Sequence, residues 1–100
     1  MKFLGLVEVA DFARRHPGEA ETLWAWVAEI RNHSWESVGD LSASFRSVDI
    51  AKLPEVIFRL GDTPLKINTL INLRKGILLL TSIDLPAIAL RSITLHQGNA

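Results

Sequence analysis

Residues 56–60, 65–71 and 77–83 are three runs rich in branched aliphatic side chains, separated by Gly61-Asp62 and by Asn72-Leu73-Arg74-Lys75-Gly76. Branched side chains fit a pleated, half-buried surface, and the residues between the runs are turn formers. The pattern predicts a three-stranded antiparallel meander. Pro86 interrupts it, and residues 88–95 read as a fourth strand. The sequence upstream has a different period. Val9, Ala10 and Ala13 share a helical stripe with Leu6, which predicts a helix over 7–15 after a short strand at 3–6. His16-Pro17-Gly18 breaks that helix, because proline lacks a donor and restricts the residue before it.

A second helix is predicted over 19–32, with Glu19 and Glu21 in its first turn and Ala20, Leu23, Val27 and Ile30 as its apolar stripe. A short helix at 36–41 follows, and Phe45 is expected to tuck back onto the core. Helices first and a sheet afterwards define an α+β fold with the helices on one face of the sheet.

One hundred residues, 48% of them hydrophobic, suffice for one core and one domain, residues 1–100. The chain has no cysteine, which excludes disulfides, thiolate metal sites and a cysteine nucleophile and suits a reducing, cytoplasmic location. Lys2 and a short apolar stretch precede Glu8 and Asp11, a pattern of neither a signal peptide nor an anchor. No apolar run approaches the ~20 residues of a membrane span, so no membrane partner is expected. The net charge is zero, which argues against a general nucleic-acid binder. Residues 1–51 carry five Lys/Arg and eight Asp/Glu, and residues 52–100 carry six and three, so a polyanion would prefer the second half.

Pairing the first two strands about Gly61-Asp62-Thr63-Pro64 sets Leu60 against Leu65, Phe58 against Ile67 and Arg59 against Lys66. The first two pairs are good apolar partners. The third opposes two positive charges, at a cost of a few tenths to ~1 kcal/mol. On a solvated face long side chains splay apart and the cost is small. The alternative is an anion site, in which two cations are stabilised by a phosphate between them, with Arg74 and Lys75 extending the patch.

The other chemistry-bearing residues are sparse. His16 and His33 lie at helix ends, where a positive ring suits a C-terminal dipole. His96 lies in the tail. No spacing of His, Asp or Glu suggests a metal, no glycine-rich loop suggests a phosphate cradle, and no cofactor is implied. The serines at 34, 37, 42, 44 and 47 read as turn and cap residues. Trp24, Trp26 and Trp35 suit either base stacking or a core, and core is the commoner use. Trp24 lies furthest off the helical stripe and is the candidate for contact with another chain.

The stretch "HPGEAETLWAWVAEIRNHSWESVGDLSASFRSVD" resembles the helical half of the HigB toxin family. The matching features are His16-Pro17 followed by acidic residues, Leu23 to Trp26, Trp35, and Phe45-Arg46-Ser47-Val48-Asp49. "VIFRLGDTPLKI" is similar to the family's Val-Phe-Asn-Ile-Gly-Gly-Asn-x-Tyr-Arg-Leu. Lys66 stands at its arginine and Arg59 at its asparagine. "INLRKGILLL" matches the strand that follows, so the resemblance covers roughly residues 1–83. "LRSITLH", with about a dozen residues inserted before it, has the spacing of the family's Ile-Arg-Phe-Ile-Gly-Thr-His. The family's Glu-Tyr-Asp is replaced by Gln97-Gly98-Asn99-Ala100, and the chain has no tyrosine.

The resemblance implies a RelE-like fold, two N-terminal helices packed on a small, mainly antiparallel β-sheet. It implies the toxin of a bacterial toxin–antitoxin pair, an endoribonuclease that cuts messenger RNA on the ribosome without a metal and is neutralised by a HigA-type helix-turn-helix antitoxin. Arg91 and His96 would then be catalytic, and Arg59, Lys66, Arg74 and Lys75 would bind RNA. The missing Glu-Tyr-Asp points to a second reading, a catalytically inactive RelE-like module that acts through protein–protein pairing. The aliphatic "DLPAIALRSITL" would add an edge strand, a route to homo-oligomers.

Overall fold

The computed structural model describes residues 1–45, 47–60 and 63–85. Among them the element order is β1 (Lys2–Leu4), α1 (Leu6–Arg15), α2 (Pro17–Asn32), α3 (Val38–Ser44), β2 (Val48–Lys52), β3 (Glu55–Arg59), β4 (Lys66–Asn72) and β5 (Ile77–Asp84). The strands form one mixed sheet in the order β1-β5-β4-β3-β2. β1 runs parallel to β5, and the other three pairings are antiparallel. The fold is therefore α+β, with three helices and a five-stranded mixed sheet among the described residues. No helix among them is long and apolar enough to cross a membrane.

The meander appears as β3-β4-β5, with Phe58 opposite Ile67 and Arg59 opposite Lys66. Its alternation is clean. Val56, Phe58, Ile67, Thr69 and Ile71 are buried, while their sequence neighbours on these strands are half-buried or exposed. β2 and the parallel seat of β1 extend the sheet beyond the three predicted strands. The predicted fourth strand at 88–95 lies outside the described residues.

The turn from β1 into α1 is made by Gly5 at φ +118°. A side chain there is strained, and its Cβ would stand 2.8 Å from Leu80 Cβ. The buried stripe of α1 is Val9, Phe12 and Ala13. Ala10 and Leu6, expected in that stripe, are exposed. The large ring of Phe12, three residues after Val9, sets the inward phase of the helix. Asp11 pairs with Arg15 at 3.2 Å and also with Arg14.

His16 separates the helices, and Pro17 opens α2, where a missing N–H costs nothing. Leu23, Trp26, Val27 and Ile30 face inward. The first turn therefore holds Glu19 but not Glu21, which lies beyond it. The third helix starts later than predicted because Ser37 caps it, its Oγ accepting from the Asp40 N–H at 3.1 Å.

Five aromatic rings run through the core. Phe3 meets Trp26 at 5.5 Å, Trp26 meets Phe58 at 5.3 Å, Phe58 meets Phe45 at 5.1 Å, and Phe45 meets Trp35 at 5.5 Å. Steep interplanar angles of 58° to 81° put ring edges toward ring faces. Such pairs add about 0.5–1.5 kcal/mol each beyond area burial. The chain of rings ties β1, α2, β3 and the end of α3 into one unit.

Candidate functional site

The face of the sheet opposite the helices carries the side chains that alternate with the core. Arg59 on β3, Lys66 on β4 and Asp84 on β5 are successive Cα partners, so the three form one row across the sheet. Directly opposed residues have Cβ atoms ~4.5–5.5 Å apart. Arg59 and Asp84 are exposed, and Lys66 is half-buried. The row answers the question raised by two opposed cations, since a carboxylate stands on the far side of Lys66.

Local bonds hold this row in place. Thr63 Oγ1 donates to the Leu60 carbonyl at 2.6 Å and accepts from the Leu65 N–H at 3.3 Å, which closes the connection between β3 and β4. The Arg59 N–H donates to the Ser47 carbonyl at 3.0 Å. Asn68 Nδ2 donates to Ser82 Oγ at 2.9 Å and to Asp84 Oδ2 at 2.8 Å. Asp84 therefore reaches the row as a fixed group.

The place of Asp84 on this face is not legible in the sequence, and a register irregularity explains why. Asn68 pairs with Ser82 but Thr69 pairs with Leu80, so Thr81 is an extra residue in β5. Its Oγ1 donates to the Asn68 carbonyl at 2.9 Å. The extra residue reverses the inward and outward sense of β5 past Leu80.

Arg59 also lines a cavity of about 530 Å³ between α2 and the β3–β4 connection, with Thr22, Trp26, Glu29, Phe45 and Leu60 among its walls. The Trp26 Nε1–H is buried without a hydrogen-bond partner.

The structure does not bring all the predicted basic residues together. Arg74 and Lys75 occupy the turn after Asn72, at the opposite end of β4 from Lys66. Six strand steps separate Lys66 from Asn72, about 20 Å at ~3.4 Å per residue. They stand instead beside Lys2, whose N–H donates to the Gly76 carbonyl at 2.8 Å. The single patch expected along one side of the sheet is two separate basic ends.

Trp24 is 40% exposed on α2, whereas Trp26 and Trp35 are buried. His33 Nδ1 lies 2.9 Å from the Glu29 carbonyl, and the His16 ring packs 4.4 Å from Phe12, so both serve helix ends. Arg91 and His96 lie outside the described residues. No protein-family model matches the chain, and no curated protein matches it.

Proposed function

We propose that this chain is a RelE-like toxin of the HigB type, an RNA-binding protein of the bacterial cytoplasm that acts on messenger RNA. The register of Arg59 and Lys66 carries the reading. Two cations from adjacent strands converge on an open sheet face, a geometry suited to one phosphate held by charge-assisted hydrogen bonds. The order of the helices before the meander, and the resemblance of residues 1–83, support the finer RelE-like assignment.

In this reading Arg59 and Lys66 hold the scissile or a flanking phosphate. The 2′-hydroxyl attacks the adjacent phosphorus, its proton passes to a base, and the departing 5′-oxygen takes one from an acid. The resemblance makes His96 and Arg91 catalytic, the imidazole suited to moving protons and the guanidinium to stabilising the charge on the phosphate. Arg74 and Lys75 contact a separate part of the RNA backbone, about 20 Å away along the strand. Exposed Trp24 and its helix offer a surface to a HigA-type antitoxin.

Asp84 favours a second reading. A carboxylate next to Lys66 lowers the attraction of this end of the sheet for a polyanion. The chain would then keep the fold as a protein-pairing module without cleaving RNA.

Expression of the chain alone in a bacterial host separates the two. Growth arrest with new 5′ ends inside coding regions, lost on joint Arg59→Ala and Lys66→Ala substitution, is the expected result. Normal growth and intact messages from soluble, folded protein would reject the nuclease and leave the pairing module.

A further inference from the structure

The sheet face opposite the helices, uncovered among the described residues, has a pattern that is complementary to itself. Below the Arg59–Lys66–Asp84 row lies a second row of Cα partners, Ile57, Asn68 and Ser82. A third row runs Glu55, Leu70, Leu79 and Leu4 across β3, β4, β5 and β1. Leu4 and Leu79 are 38% and 40% exposed, large apolar side chains side by side on neighbouring strands. Beside them, toward β3, the face is hollowed by a depression of about 450 Å³ lined by Ile57, Asn68, Thr69, Leu70 and Thr81, with Glu55 also in its lining.

We infer that this face packs against the same face of a second copy, about a two-fold axis parallel to the strands and midway between β4 and β5. That operation lays β4 over β5 of the second copy and β3 over its β1, without changing position along the strands. On the two central strands every row then meets a fitting row, while at the rim Glu55 comes over Leu4 of the second copy. Leu70 meets Leu79 of the second copy, and Asn68 meets its Ser82. Lys66 meets its Asp84, and each contact occurs twice, as a two-fold interface requires.

The raised Leu4 and Leu79 of each copy fall over the depression of the other. Face-to-face sheets pack about 10 Å apart and cross at about 30°, which shifts the ends of the strands by a few ångströms, within reach of a lysine side chain. The alternative axis in the same plane, perpendicular to the strands, would set Leu70 against lysine and Leu79 against aspartate, so the charges select the first.

This contact is distinct from pairing along a sheet edge. Because it engages Lys66, the contact competes with the phosphate role proposed for that residue, so dimer and RNA complex are alternative states of this face.

Sedimentation of the full chain over a wide concentration range tests it. The chain is expected to sediment as a dimer. Lys66→Asp leaves Asp84 of the second copy facing another carboxylate, and Asp84→Lys leaves two lysines facing each other. Each variant alone should dissociate about tenfold or more readily. An equimolar mixture of the two should regain the dimer, because each copy then presents the opposite charge to the other. The pair within each chain stays mismatched in that mixture, so recovery reports the contact between copies. Leu79→Gln should weaken the dimer with an unchanged circular dichroism spectrum. A chain that remains monomeric at every concentration, as it would with its own residues 86–100 or another protein as the natural cover, overturns the inference. A mixture no more associated than its components does so too.

Discussion

Gly5→Ala should destabilise the protein far more than Gly76→Ala, although both glycines have positive φ. Gly76 sits at φ +66° with open space around its missing side chain. Alanine there adds only backbone strain, about 1–2 kcal/mol. Gly5 sits at φ +118°, and a Cβ would stand 2.8 Å from Leu80 Cβ and 3.4 Å from the Leu80 carbonyl oxygen. Leu80 is 4% exposed and held on a strand in the middle of the core, so it has nowhere to move. Strain of similar size is then joined by overpacking of about 1–3 kcal/mol, giving about 2–5 kcal/mol in all.

For a domain of this size about 1 kcal/mol lowers Tm by roughly 4–8 °C. Thermal unfolding followed by far-ultraviolet circular dichroism should therefore show a drop of about 8–40 °C for Gly5→Ala and about 4–16 °C for Gly76→Ala, with Gly5→Ala always the larger. The difference isolates the collision with β5. Equal shifts for the two variants would refute the close seating of the β1–α1 junction on Leu80.

Three further expectations follow from particular hydrogen bonds and charges. Thr69 is 2% exposed and its Oγ1 donates to the Val56 carbonyl at 2.7 Å; Thr69→Val should cost about 1–2 kcal/mol in urea unfolding with an unchanged m-value. Ser44→Ala leaves the Trp35 Nε1–H, which now donates to Ser44 Oγ at 2.8 Å, without its partner; the expected loss is about 1–3 kcal/mol, with a change in tryptophan emission. On the RNA-binding reading, Arg59→Ala with Lys66→Ala should reduce the slope of log affinity against log salt by about 1.4 for single-stranded RNA, and an unchanged slope would remove these side chains from the contact.

How much of this was legible in the sequence depended on the range of the interaction. The meander was readable because residues 56–71 alternate with a period of two and their partners are close along the chain. The same alternation placed Arg59 opposite Lys66. It failed in β5, where Thr81 adds one residue and moves Asp84 onto the outer face. Nothing in the local pattern of 77–84 marks that shift, since it exists only relative to β4.

β2 was obscured by its length and edge position, with Asp49 and Lys52 interrupting a short apolar alternation. In α1 the inward phase is set by Phe12, whose ring buries far more apolar surface than the alanines of the expected stripe. The separation of Arg74 and Lys75 from Lys66 follows from strand rise alone and needed only the strand limits.

The pairing of β1 with β5 also governs when the protein becomes stable during its synthesis. Lys2 lies beside Ile77, at the far end of almost the whole described chain. Closing a loop of that length costs about 4 kcal/mol of chain entropy, which local helix formation cannot recover. The first strand must wait for the last described one, and the inward faces of α1 and α2 wait with it for the sheet they cover. A nascent chain that stops before Ile77 thus exposes Leu23, Trp26 and Ile30 to solvent. It is the species a chaperone or protease meets first.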